Sequence, residues 1–207
     1  MVDTSSYIVV DASLAFDYGP YVLDVTERFP PLACEPVCPP GAVLEGEPEC
    51  SDGYVDTFNG GCYAAAPAFS PLPSGFDPLW VCGESGIYDN GLHGDSDWYA
   101  FTLTESKTVT FSLCANFDWV YTHLFMPDPD CSSYAFVGFA QARAYETATI
   151  SASIGPGTYW YAVAPYGDVY LNDDCGEARY LFKVEGLGSG PTGAEPVSWG
   201  ALKTLFR

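Results

Sequence analysis

Beyond residue 95 the apolar and polar positions alternate with a period of two. Tyr99, Phe101 and Leu103 fall on one side of an extended chain and Trp98, Ala100 and Thr102 on the other; Val109, Phe111 and Leu113 then alternate with Thr108, Thr110 and Ser112. That period marks half-buried strands. The same criterion predicts strands at 119–126, 134–141, 147–154, 158–164 and 179–185, which makes seven short strands separated by turns. Such a series predicts an all-β fold, an antiparallel jelly-roll-like β-sandwich.

Upstream the pattern disappears. Residues 29–94 are rich in Pro, Gly and Cys, with no sustained period of 2 or 3.6, and are expected to form a long disulfide-rich loop region leading into a sandwich core at 95–187. Residues 7–27, with a strand, a Gly/Asp loop and a second alternating strand, read like 159–185. On that likeness, residues 1–28 are expected to be the C-terminal hairpin of a preceding, truncated module. Gly and Ser mark 188–196 as a linker, and 197–207, ending SWGALKTLFR, is a short separate tail in which Lys203 and Arg207 flank Leu202, Leu205 and Phe206.

Charge and cysteine content narrow the setting. The 207 residues carry 7 Lys plus Arg against 27 Asp plus Glu, a net charge of −20. Affinity for phosphate backbones comes from basic side chains, so nucleic acid is excluded as a partner, and anionic membranes are disfavoured on the same ground. With 48% hydrophobic residues the chain has enough apolar surface to fold despite its charge. No stretch approaches the length of a membrane span, so no membrane insertion is expected. Cys34, Cys38, Cys50, Cys62, Cys82, Cys114, Cys131 and Cys175 are scattered through loops without paired CxxC spacing, which suits disulfides better than zinc. The pairing stays open, because eight cysteines allow about 105 arrangements. Disulfides place the protein in an oxidising compartment, extracellular or at the cell surface. Residues 1–15 lack a basic segment followed by an apolar run, so the chain is expected either to have been trimmed of its signal or to be the tail end of a longer secreted polypeptide, the second being favoured by the likeness of 7–27 to 159–185.

Three segments carry a resemblance. Gly94-Asp95-Ser96-Asp97-Trp98-Tyr99-Ala100-Phe101, then Thr108-Val109-Thr110-Phe111-Ser112-Leu113, then Gly157-Thr158-Tyr159-Trp160-Tyr161-Ala162-Val163 resemble the bacterial pre-peptidase C-terminal domain over roughly residues 43–187. The family implies a jelly-roll-like sandwich appended to secreted peptidases and other enzymes without being their catalytic unit. The collagen-binding domains of clostridial collagenases look like relatives, and they carry calcium at a site made by an acidic leader and the G-D-x-D turn. The extra cysteines and the long insertion between Cys62 and Gly94 depart from the pattern.

Three kinds of chemistry compete on the residues. Catalysis has little support: His93 and His123 are the two imidazoles, and the serine-hydrolase echoes at Gly83-Glu84-Ser85-Gly86 and Gly94-Asp95-Ser96-Asp97 read as turns rather than as a strand-to-helix elbow. Calcium is the sharper hypothesis, because a hard cation takes several oxygens and relieves the repulsion among clustered carboxylates. The candidate ligands are Glu45, Glu47 and Asp52 in the leader with Asp95 and Asp97 in the turn; Asn172, Asp173 and Asp174 form a second, weaker cluster. An EF-hand is not present, since Asp52-Gly53-Tyr54-Val55-Asp56-Thr57 has the wrong offsets. For binding, Trp98 and Trp160 fall opposite the core-facing rows, as an exposed aromatic platform for a sugar or peptide or as residues covered by the Cys-rich insertion. The expectation is a noncatalytic secreted module for attachment or spacing in a larger extracellular protein, with a protein or polysaccharide surface as partner. The alternative is a carbohydrate-binding module using exposed aromatics.

If residues 1–28 belong to another module, deleting 1–30 leaves a chain that still melts cooperatively at nearly the same temperature. Loss of folding on that deletion would make the hairpin an integral strand pair of the sandwich.

Overall fold

In the computed structural model, residues 34–89, 92–127, 131–165 and 174–188 are described. The expected hairpin at 1–28, the tail at 197–207, most of the linker, and Asn172 and Asp173 of the weaker cluster lie outside them. The described residues contain eleven strands and no helix. They run β1 (Val43–Leu44), β2 (Ser70–Pro71), β3 (Leu79–Tyr88), β4 (His93–Asp95), β5 (Asp97–Leu103), β6 (Lys107–Ala115), β7 (Val120–Pro127), β8 (Tyr134–Ala142), β9 (Thr147–Ile154), β10 (Gly157–Pro165) and β11 (Ala178–Glu185).

Alternation sorts these strands into two sheets. One has the order β1-β3-β11-β6-β9, with β4 paired to β3; the other has the order β2-β5-β10-β7-β8. The long pairings are antiparallel, and the two-residue strands β1 and β2 add in parallel to β3 and β5. On β5 the odd positions Tyr99, Phe101 and Leu103 point inward, and on β6 Val109, Phe111 and Leu113 meet them from the other sheet. Phe111 stacks on Tyr161 with ring centroids 4.1 Å apart, so the two inner faces interdigitate at the centre. The all-β two-sheet sandwich expected from the periodicity is the observed fold.

The loop region does more than expected. Its segment Leu79–Tyr88 is a ten-residue strand lying between β1 and β11, so the sandwich begins well before residue 95. Periodicity missed it because it holds two glycines and buries both faces in places. Both glycines are forced by neighbours: a Cβ on Gly83 would collide with the Tyr180 ring, and one on Gly86 would come within 2.7 Å of the Cys175 Cα. The Gly83-Glu84-Ser85-Gly86 echo, expected to be a turn, therefore sits inside β3. Ser85 is buried and its Oγ donates to the Asp95 carbonyl at 2.7 Å.

Four disulfides strap the leader and the insertion to this frame: Cys34–Cys114, Cys38–Cys82, Cys50–Cys175 and Cys62–Cys131. The smallest loop spans 44 residues and the largest 125, so in a chain-entropy account each restricts the unfolded chain by about 4–5 kcal/mol. The insertion also covers the outer face of the second sheet. Trp98 and Trp160 lie there in a second apolar cluster with Phe125, Phe69, Cys62 and Cys131 against them. Gly61, at φ 59°, lets the backbone pass directly over the Trp98 indole.

Gly61→Ala combines left-handed strain with a collision against a ring held by Phe125, and should cost about 2–4 kcal/mol in denaturant unfolding. Gly41→Ala, at φ 84° with open space around its Cβ position, should cost only the backbone part, about 1–2 kcal/mol. Equal costs would show that the backbone at Gly61 does not press on Trp98.

Candidate metal centre

Two segments and one turn bring acidic side chains to the same end of the sandwich. β1 pairs with β3 at Leu44 and Cys82, and the Glu45 amide continues the pairing by donating to the Cys82 carbonyl at 2.9 Å. Past that pairing the leader leaves the strand and turns at Gly46, whose φ is 80°, and with Cys38–Cys82 and Cys50–Cys175 holding its two ends it carries both Glu45 and Glu47 to the same cluster. Asp95 ends β4 opposite Gly86 and Asp97 opens β5, so the break at Ser96 brings both toward the leader. The third contributor is a tight turn in which Asp56 Oδ1 accepts from the amides of Phe58 at 2.8 Å and Asn59 at 3.2 Å. The Asn59 carbonyl then accepts from the Trp98 amide at 2.8 Å and fixes the turn to β5.

The resulting oxygens crowd together. One carboxylate oxygen each from Glu45, Glu47 and Asp97 lie within 4.8 Å of one another, as do one each from Glu47, Asp56 and Asp95. Glu45 is well supplied with donors: Asn59 Nδ2 at 2.6 Å and the Tyr180 hydroxyl at 3.2 Å on Oε1, and the Glu84 amide at 3.0 Å on Oε2. Asn59 Nδ2 also donates to Asp97 Oδ1 at 3.1 Å, and the Tyr54 hydroxyl donates to Glu47 Oε1. Other oxygens of these groups find no donor among the described residues. Glu47 Oε2, Asp56 Oδ2, Asn59 Oδ1, Asp95 Oδ1 and Asp97 Oδ2 are buried without a hydrogen-bond partner.

Such a cluster resists ionisation. Burial, then the charges of Glu47, Glu45 and Asp56, push the Asp95 carboxyl up to about 8. Burial also pushes Glu47 up to about 7, against the Tyr54 hydrogen bond and with help from Glu45 and Asp56. Asp97, fully enclosed and next to Glu45, lies well above the usual carboxylate range. No basic side chain answers them: among the described residues Arg179 pairs with Glu84, Lys107 with Glu105 and Lys183 with Glu185. All the free atoms are hard oxygens, and the cysteines are consumed in disulfides, so the donor set fits a calcium-like cation and not zinc.

Of the ligands expected from the sequence, Glu45, Glu47, Asp95 and Asp97 are brought together. Asp52 is not: it is exposed, and its Oδ1 accepts from the Asp89 amide at 2.7 Å while Asp89 Oδ1 accepts from Gly53 at 2.8 Å, which ties the leader to the β3–β4 turn. Asp56 takes the place given to Asp52. Its signal is the Asp56-Thr57-Phe58-Asn59 turn chemistry, which EF-hand spacing does not register. Trp98 and Trp160 need a larger correction, since they are 3% and 5% exposed and present no face to a ligand. Phe69 stacks on Trp160 with centroids 4.4 Å apart, and Tyr63 meets Trp98 edge-on at 5.8 Å.

No protein-family model and no curated protein matches the chain. Among solved structures, the chain is similar to the pre-peptidase C-terminal domain of a collagenase from Bacillus anthracis, at 20% identity and a TM-score of 0.39, over 56% of this chain and 93% of that one. It is also similar to the CBM36-1 domain of a multidomain xylanase from the hindgut metagenome of Trinervitermes trinervoides, at 15% identity and a TM-score of 0.28, over 49% and 85% of the two chains. These likenesses are of fold, and the chemistry of the site rests on this chain's own residues.

The raised carboxyls give the cation-free protein a definite pH dependence. A group whose folded pKa is raised stabilises the fold below its unfolded value, near 4, and that stability is lost as pH rises through the folded value. In chelator the melting temperature should therefore fall between pH 5 and pH 8.5, through about 7 for Glu47 and about 8 for Asp95. Asp95→Asn removes one of these groups at nearly constant shape and should flatten the fall. Identical slopes for parent and variant would remove Asp95 from the buried cluster.

Proposed function

We propose that this chain is a noncatalytic module of a secreted protein, locked into its folded form by calcium and serving for attachment or spacing against an extracellular protein or polysaccharide. The observation that carries the reading is the set of unpartnered buried oxygens on Glu47, Asp56, Asn59, Asp95 and Asp97. Leaving even one buried acceptor unsatisfied costs about 1–3 kcal/mol, and a divalent cation satisfies them together. Four disulfides support an oxidising compartment. The noncatalytic part is supported by the surroundings of the two imidazoles. His93 is exposed with Asp89 3.9 Å away, and His123 is packed among Phe125, Phe136 and Phe139 with its pKa lowered by burial. Ser85 and Ser96 are engaged elsewhere, as an acceptor for the Trp98 indole in the case of Ser96 at 3.3 Å. A carbohydrate-binding role loses Trp98 and Trp160 as its contacts.

Thermal melting in calcium, magnesium and chelator tests this. With free calcium a hundredfold above its dissociation constant, stability should rise by about 2.7 kcal/mol, or roughly 5–11 °C. Magnesium should do much less, because it holds its waters and demands a tighter octahedron. The Asp95→Asn, Asp97→Asn double variant should lose the calcium shift. A melting temperature indifferent to calcium in the parent, or a shift that survives the double substitution, would overturn the site; turnover of ester or peptide substrates would overturn the noncatalytic assignment.

A further inference from the structure

A strand that ends a sheet carries backbone groups on its outer side with no strand to pair with, and folds blunt such edges to keep other chains off. Of the four strands that end the two sheets here, β1 and β2 are two residues long, and β9 keeps a polar outer face on which Ser151 and Ser153 bond Thr110 and Thr108. β8 is different. It pairs with β7 alone among the described residues and runs nine residues, Tyr134–Ala142, without a charge or a proline, in a chain of net charge −20.

β8 also carries a bulge. Leu124 stands opposite Gly138 and Phe125 opposite Phe136, so Val137 is an extra residue. Without it Phe136 and Phe139 would fall on opposite faces. With it Tyr134, Phe136, Phe139 and Gln141 stand opposite Pro127, Phe125, His123 and Tyr121 on the outer face, while Val137 and Ala140 pack on the core. Phe136 and Phe139 are 64% and 52% exposed, with the His123 ring 5.6 and 5.0 Å from theirs. The cover over Trp98 and Trp160 stops short of this aromatic patch.

We infer that β8 is the interface to a second copy of this chain, paired antiparallel about a two-fold axis between Val137 and Gly138, so that Phe136 of each copy meets Phe139 of the other. The strand is self-complementary, as a two-fold requires. Counted outward from that axis, Val137 and Gly138 turn inward, Phe136 and Phe139 outward, Ala135 and Ala140 inward, and Tyr134 and Gln141 outward, so opposed residues share a face. Charge favours this place for a copy: one bringing −20 is repelled over most of the surface, and β8 brings no like charges together. At about 150–250 Å² per ring, the open parts of Phe136 and Phe139 come to roughly 170–290 Å² per copy, about a third of the ~600–800 Å² a side that specific interfaces bury, before the free backbone edge, Tyr134 and Gln141 are added. The pairing stands apart from the calcium reading, since neither β8 nor the β7 positions beside it hold an acidic residue.

Sedimentation equilibrium of the full chain over a micromolar to submillimolar series tests this, and a reversible monomer–dimer equilibrium is expected. Phe136→Lys replaces an exposed ring and sets two like charges near one axis, so it should weaken the dimer at least about tenfold with the melting temperature of the monomer unchanged. Ser151→Lys, which adds the same charge on the β9 edge, should leave the dimer as it was. A nitroxide on Gln141→Cys should report one separation between copies of roughly 20–25 Å, the length of strand from 134 to 141. A dimer that Phe136→Lys leaves intact, that Ser151→Lys breaks equally, or that holds the two labels at another separation would overturn the pairing. So would a chain monomeric at every concentration: a lower melting temperature for Phe136→Lys in that monomer would give the face to another segment of the same chain, and an unchanged one to a foreign partner.

Discussion

Five carboxylates held together with no basic partner among the described residues are the constraint around which this end of the molecule is built. Charges of one sign separate unless something stronger holds them, and here the holding is covalent and backbone-made. Cys38–Cys82 and Cys50–Cys175 bracket the leader, β1 extends the first sheet, and the Asp56 turn is stitched to β5 through Asn59 and Trp98. The core answers in kind. Tyr99 and Tyr180 share a hydrogen bond of 2.6 Å and turn their hydroxyls toward Glu45, and Gly83 is a glycine so that the Tyr180 ring can reach that position. A polar cap is thus wired into the end of an otherwise apolar interior.

The Cys-rich loop region upstream of the sandwich serves two purposes on two surfaces. The turn at Asp56–Asn59 delivers Asp56 and Asn59 to the acidic cluster, and the chain then crosses the outer face of the second sheet, where Gly61 and Phe69 cover Trp98 and Trp160. Cys62–Cys131 ties this crossing to the loop between β7 and β8. Because Asn59 bonds Trp98 through its backbone and Asp97 through its side chain, a shift of the indole is felt at the cluster within one residue of chain. The aromatic packing and the oxygen site are neighbours in sequence and mechanically linked.

Much of the sandwich was legible because its strands obey one rule. On β5, β6, β9, β10 and β11 alternate side chains form an apolar row that faces the core, so Tyr99, Phe111, Ile150 and Tyr161 announce their own orientation. β3 was illegible for the opposite reason: Gly83 and Gly86 are set by Tyr180 and Cys175, partners 97 and 89 positions away along the chain (180 − 83 and 175 − 86). Trp98 and Trp160 show the same limit. Alternation correctly put them on the outer face, but whether that face meets water depended on where the insertion runs, which local pattern does not encode. At the site, composition pointed to the right kind of atom, yet Asp52 and Asp56, four residues apart, differ only in which turn each one closes.

The distribution of support implies where the fold yields first if the oxygens stay unpartnered. The main core lies between the sheets, and from the leader only Val43 packs against it. Glu45 and Glu47 contribute no apolar surface, so the segment between Cys38 and Cys50 is held by its disulfides, two β1 residues and hydrogen bonds to acidic oxygens. Uncompensated repulsion is relieved most cheaply by that segment moving off β3, since no buried hydrophobic area of consequence is exposed when it does. The sandwich beneath would persist, pinned by Phe111, Tyr161 and Phe182. On the proposed reading a cation at this end would steady the leader first, and through the leader add to the stability of the whole fold.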